Sequence, residues 1–214
     1  MKRIFIVAIA AAALASCNNA SENKAETTEK QTAAVATGNA YTVDSTSSVE
    51  WTGIAATGNH NGTFKIKEGT LNVSDSGLTG GIFQIDIVSI NNKDYANDAE
   101  KKGKLEGHLK SPDFFDAAKY PTAKFEITSI EKNTDTTKKE FTNIIKGNLT
   151  LKDSTKNISF PAKITADAKS VTASADFSID RTLWGINYKG PNNPQDWVIS
   201  KEVGIKLNIS ATKK

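Results

Sequence analysis

Residues 171–180 read VTASADFSID. The odd positions Val171, Ala173, Ala175, Phe177 and Ile179 are apolar; the even positions Thr172, Ser174, Asp176 and Ser178 are polar. A period of two places successive side chains on opposite faces of an extended chain, so this stretch is a strand with one buried face and one wet face. The pattern returns in Val203, Ile205, Leu207 and Ile209, which alternate with Gly204, Lys206, Asn208 and Ser210. It returns again in Ile158, Phe160, Ala162 and Ile164, in Ile145, Gly147, Leu149 and Leu151, and in Phe125 and Ile127. Strands divided in this way belong to antiparallel sheet. Eight strands are predicted, over 49–56, 62–67, 78–90, 122–130, 141–151, 156–166, 171–180 and 199–210. Eight antiparallel strands with mostly short turns predict an all-β domain, a closed up-and-down barrel with a sandwich as the alternative. An eight-stranded barrel is either filled by side chains or wide enough for one small ligand.

One insertion interrupts the meander. Residues 104–128 read KLEGHLKSPDFFDAAKYPTAKFEIT. Pro112 and Pro121 each fix φ and push the preceding residue away from helix, so both mark turns. Between them Phe114 and Phe115 sit where a loop is normally polar. Upstream, Asp98 is placed to cap a short helix over 99–104.

The N-terminus carries a different signal. Lys2 and Arg3 precede an apolar run over 4–13, and Leu14-Ala15-Ser16-Cys17 closes it. This is a secretory signal over 1–16, too short to span a bilayer, and its end has the form of a lipobox. Cleavage before Cys17 would leave that residue to be lipidated as a membrane anchor, in the envelope of a bacterium. Asn18 is not the aspartate linked to inner-membrane retention, which favours the outer membrane, facing the periplasm. Cys17 is the one cysteine of the chain, so the mature fold has no disulfide, no cysteine nucleophile and no thiolate metal site. Loss of Lys2 and Arg3 lowers the formal net charge by two, from +3 to +1. Such a balance offers nucleic acid no clustered basic face. Residues 17–40 are then expected to be the lipidated cysteine and a flexible tether, built of Asn, Ser, Glu, Lys, Thr, Ala and Gln with too little apolar bulk to fold alone. The domain proper runs over 41–214.

Six blocks in order carry a family resemblance: Tyr41-Thr42-Val43-Asp44 with Ser48-Val49-Glu50-Trp51; Gly69-Thr70-Leu71; Ile85-Asp86 through Ser89-Ile90; His108-Leu109-Lys110-Ser111 with Asp113-Phe114-Phe115 and Tyr120-Pro121-Thr122; Gly147-Asn148-Leu149-Thr150-Leu151 with Phe160-Pro161; and Phe177-Ser178-Ile179-Asp180-Arg181 with Trp184-Gly185. Together they resemble the YceI-like, polyisoprenoid-binding family. The resemblance implies a single lipocalin-like barrel with an elongated apolar pocket for an isoprenoid or other long-chain lipid. It implies no catalytic residues and no cofactor, and it leaves a homodimer open.

The residues expected to line such a pocket are Trp51, Phe64, Phe83, Ile85, Phe125, Ile127, Leu149, Leu151, Phe160, Phe177, Ile179 and Trp184; in a filled barrel they are ordinary core. His108, Phe114, Phe115 and Arg181 are candidates for its rim or gate. Phe114 and Phe115 either seal one end or also open it. Asp180 and Arg181 read as an ion pair at a strand end, or Arg181 as a phosphate contact through its planar fork. His60 and His108 have no acidic partner at ligand spacing and make a poor metal site. Trp197 is a further rim candidate. No residue order suggests a catalytic triad, a paired histidine motif or a phosphate loop, and Asp86 and Asp180 are not marked out as an acid–base pair.

Overall fold

The computed structural model describes residues 23–56, 58–190 and 198–213. Among them the chain order is β1 (Glu26–Glu29), β2 (Asn39–Val43), β3 (Ser48–Ala55), β4 (Gly58–Ser74), β5 (Gly77–Asn92), α1 (Ala99–Lys110), β6 (Thr122–Lys132), β7 (Asn143–Leu151), β8 (Ser154–Ala166), β9 (Ser170–Asp180), a 3-10 turn (Arg181–Trp184) and β10 (Ile199–Lys213). Each strand from β3 to β10 pairs antiparallel with the next, and β10 returns to β3. This closes an eight-stranded barrel. The barrel, not the sandwich, is the architecture.

Closure needs help at the first stave, because β3 is only 8 residues long. Below it β2 continues the same position, pairing β4 through Asn39–Thr42 and β10 through Tyr41–Val43. Asp44 and Ser47 make the step between the two pieces, both bonded to Ser210. Tyr41 closes that end of the barrel, 3 % exposed, with its hydroxyl donated to the Asp167 carbonyl.

β4 and β5 are longer than alternation alone predicts, at 17 and 16 residues. Their shared ladder carries irregularities between Thr63 and Lys65, between Ile66 and Glu68 and between Asn72 and Val73, which break the alternation that sequence periodicity relies on. A bulge inserts one extra residue and reverses the inward phase. Phe64 is buried on even numbering; Leu71 and Val73 are buried on odd numbering.

The segment expected to be a flexible tether is folded onto the barrel from residue 23 onward. Ser178 and residues 23–25 exchange two backbone hydrogen bonds, Ala25 N–H to Ser178 O at 2.8 Å and Ser178 N–H to Asn23 O at 2.9 Å. β1 then pairs antiparallel with Lys156–Ser159 of β8. The chain crosses β7, where Gln31 and the Asn148 side chain exchange two bonds, then reaches Ile127 of β6 and Thr79 of β5 before entering β2. The reason is local pairing. β8 and β9 share only four rungs, Lys163–Ala166 with Val171–Ser174, and β5 and β6 share only five. Strand edges left open there need donors and acceptors. The strap supplies them through its backbone, which composition does not reveal; of its side chains Ala25 alone is a buried hydrophobic. Residues 1–22, with the predicted signal and Cys17, lie outside the described residues.

Candidate ligand cavity

The inward faces of the staves enclose a cavity of about 370 Å³. β3 contributes Trp51, β4 Phe64, β5 Phe83 and Ile85, β6 Phe125 and Ile127, β7 Leu149 and Leu151, β8 Phe160, and β9 Phe177 and Ile179. These are eleven of the twelve residues expected to line it. Three ring contacts run side by side around the wall. Phe83 and Phe125 have centroids 6.4 Å apart, Phe125 and Phe160 5.9 Å, and Phe160 and Phe177 4.1 Å with the last pair stacked. Room for Phe125 comes from Gly147 on the neighbouring strand, where a Cβ would lie 2.2 Å from the ring.

Trp184 is the exception. It sits in the 3-10 turn after β9, is 1 % exposed, and is not part of the cavity lining. Its indole N–H donates to the Leu149 carbonyl at 2.9 Å, so it braces the turn against β7. A buried indole needs such a partner, and the backbone provides it.

One end of the cavity is covered by α1 and the loop after it. Asp98 caps the helix by accepting from Lys101 N–H, and the helix runs to Lys110 rather than stopping at 104. The longer helix brings Leu105 and Leu109 into the lining, a pair at i,i+4 that the shorter helix misses. It also carries His108. Phe115 stands edge-on to Phe64 at 5.5 Å. Phe114 is buried and, with His108 and Tyr188, forms a three-ring cluster with centroids 4.7 to 5.3 Å apart. Tyr188 lines the cavity, and nothing in the sequence around it announces that position.

Both histidines line the cavity at this end, and each has an acidic partner, contrary to the sequence reading. His108 Nε2 lies 3.1 Å from Asp113 Oδ2, and His60 Nδ1 lies 3.2 Å from Asp94 Oδ2. Burial opposes ionisation of Asp94, but hydrogen bonds from the Asn61 N–H, the Asn92 amide and His60 outweigh it and hold the carboxyl below its ordinary value. No group of three or more metal-ligating side chains occurs among the described residues.

Arg181 is the charged residue of the lining, and it is only 4 % exposed. Asp180 is not its ion-pair partner. Asp180 Oδ2 lies 3.1 Å from Lys201 Nζ, and its other oxygen accepts from Thr182. The guanidinium instead donates to four carbonyls, those of Ser200, Ile186, Tyr188 and Ile199. Burial lowers its pKa, opposed by the Asp180 charge, yet an arginine stays protonated. Its fork is spent on backbone, so it is a clamp on the segments flanking 191–197. Trp197 lies outside the described residues.

A profile of the YceI-like domain matches residues 41–211, most of the chain. The chain belongs to the YceI-like family. Solved structures of similar fold include BcnA of Burkholderia cenocepacia, at 20 % identity and a TM-score of 0.63, covering 79 % of this chain and 99 % of that one. The YceI protein of Campylobacter jejuni matches at 20 % identity and a TM-score of 0.52, covering 70 % and 83 %. A polyisoprenoid binding domain from Saccharophagus degradans, implicated in plant cell wall breakdown, matches at 15 % identity and a TM-score of 0.57, covering 82 % and 99 %. None of the curated proteins matches. At these identities the neighbours establish the fold. The YceI-like domain of this chain is a closed barrel around an apolar cavity.

Proposed function

We propose that this YceI-like protein holds an isoprenoid or similar long-chain lipid in its barrel and is a binding protein rather than an enzyme. The observation that carries the reading is the cavity: about 370 Å³ walled almost wholly by hydrocarbon, with its one guanidinium already bonded to backbone. A dry apolar space of this kind takes hydrocarbon and refuses unpaired charge. The Saccharophagus neighbour, described as a polyisoprenoid binding domain, supports the same class of ligand. The polar head of the lipid would sit at the α1 end, beside His60 and His108, where the lining is least apolar. A barrel filled by its own side chains, serving only as an interaction scaffold, is disfavoured by the open volume.

The lipobox ending at Cys17 supports a lipoprotein tethered to the envelope, on the periplasmic face of the outer membrane, where a bound lipid would be sequestered or carried. Native mass spectrometry of protein purified from a bacterial envelope tests the reading. Adducts of long-chain lipid that disappear on organic extraction are expected. A bare mass, with no lipid taken up from added farnesol or retinol, would overturn it.

A further inference from the structure

The cavity is held shut unequally. The α1 end is fixed by side chains: the three-ring cluster, the Asp94 hydrogen bonds and the Arg181 clamp. The opposite end is fixed by β2 and buried Tyr41. The wall between β8 and β9 is held by the strap instead, through backbone bonds and through solvent-exposed side-chain pairs such as Lys24 with Glu202 and Lys156 with Glu29. Beyond the four shared rungs the two backbones do not pair with each other. That register, continued along the strands, sets Phe160 opposite Phe177, and these are the two rings that stack at 4.1 Å with 12° between their planes. Outside the rings lies only the beginning of the strap, bonded to β9 at Ser178 and to β8 at Lys156–Ser159.

We propose that the β8–β9 seam is the portal through which lipid enters and leaves the barrel, with residues 23–29 as its removable outer wall and the Phe160–Phe177 stack as its inner latch. The proposal rests on the lipid-binding reading above. Segments that open at low free-energy cost are those with few buried apolar contacts and solvent-exposed hydrogen bonds. Residues 26–29 match that description: all four are exposed or half-exposed. The inner surface of the seam is cavity wall, formed by Ile158, Phe160, Ala175 and Phe177. A chain admitted here therefore reaches the hydrocarbon interior without passing the polar histidine end. The stacked rings hold the seam from inside only by their mutual contact, so once the strap lifts they are free to part. Release of the strap leaves the ends of the barrel untouched, so the pocket keeps its shape while its side is open.

A staple that fixes the strap, the outer wall of the seam, to β8 tests this. Glu26 and Ser159 are paired across the β1–β8 ladder. Directly opposed residues in such a ladder lie within disulfide reach, and Ser159 alternates with the inward Ile158 and Phe160, so the bond would leave the cavity intact. Glu26→Cys with Ser159→Cys is made in the mature chain carrying Cys17→Ser, so that no third thiol competes. Retinol, a fluorescent isoprenoid, is delivered from phosphatidylcholine vesicles. Uptake by the oxidised form is expected to be at least about tenfold slower than by the same protein after dithiothreitol, with equilibrium affinity unchanged, because local opening then limits the rate. Ala25→Asp works in the other direction. It puts an unpaired carboxylate at a position 4 % exposed, which drives the strap off, and uptake is expected to speed up about threefold or more. Binding at equal rates in oxidised and reduced forms, or a wild-type rate in Ala25→Asp, would overturn the portal and leave lipid binding standing. Absence of retinol binding in the reduced form and in wild type would overturn the lipid reading, and the portal with it.

Discussion

Arg181 carries a charge into the wall of an apolar cavity, and its neighbours explain why that is tolerated. Each of its donors but one meets a carbonyl, at 2.9 Å for Ser200 and Ile199 and 3.0 Å for Tyr188. Lysine has one ammonium and cannot span that fan of acceptors. Arg181→Lys is expected to lower the unfolding free energy by about 3 kcal/mol, since it strands buried carbonyls. Urea denaturation measures it. If stability holds and only lipid affinity falls, the guanidinium serves the ligand after all. Gly147 makes a complementary point about volume. With a Cβ placed 2.2 Å from Phe125, Gly147→Ala must push the ring into the cavity. Overpacking of this sort costs about 1–3 kcal/mol, and a narrower cavity should also weaken retinol binding. Titration and denaturation of the same variant report both. The Gly147 position reads as an inward gap in an alternating strand; that a ring from the next strand fills it is not visible in the sequence.

At the scale of elements, the strands were legible wherever one face is buried and one is wet. The reading weakens where the phase breaks. In β5, Phe83 and Ile87 point inward on odd numbers but Ile90 and Asn92 are buried on even ones. Asp86 marks the break, its Oδ1 accepting the N–H groups of Val88 and Ser89. Apolar periodicity cannot report a local side-chain turn of this kind. Helix α1 was legible at its cap, Asp98, and lost at its far end, because Leu105 and Leu109 are the only large aliphatic residues it sets against the barrel mouth, too few for an apolar stripe. The carboxylate that ties this mouth together is Asp94, which receives Asn61 N–H at 2.9 Å and Asn92 Nδ2 at 2.7 Å. Its pKa is held below the ordinary 3.8. A lowered folded-state pKa means that its stabilisation is complete above the unfolded value and is lost as pH falls through the folded one. Unfolding free energy should therefore drop below about pH 4, and Asp94→Asn should show a shallower acid limb than wild type. Identical limbs would mean that Asp94 does not hold the mouth.

For the whole molecule, the strap changes how the barrel stands relative to a membrane. Read from composition, residues 17–40 are a long tether, and 23 residues fully extended reach about 80 Å. With the chain bound to the barrel from Asn23, only six residue steps separate the wall from Cys17, a reach of at most about 20 Å. Composition hides this because the strap is held largely through its backbone, bonded to barrel backbone and to barrel side chains such as Asn148 at Gln31 and Thr79 at Thr37, none of which needs apolar residues in the strap. The anchor proposed at Cys17 would then hold the β8–β9 wall, not a distant point, next to the lipid headgroups. Energy transfer from a dye on Lys24, reconstituted in vesicles with an acceptor lipid, measures the separation. It should place residue 24 within about 25 Å of the bilayer surface, the extended reach of seven residue steps. Ala25→Asp, by releasing the strap, should increase the mean distance from the surface to a second dye on Asp153 at the β7–β8 turn. A barrel that already samples several tens of ångströms in the wild type would show that the strap is open at rest, and the seam with it.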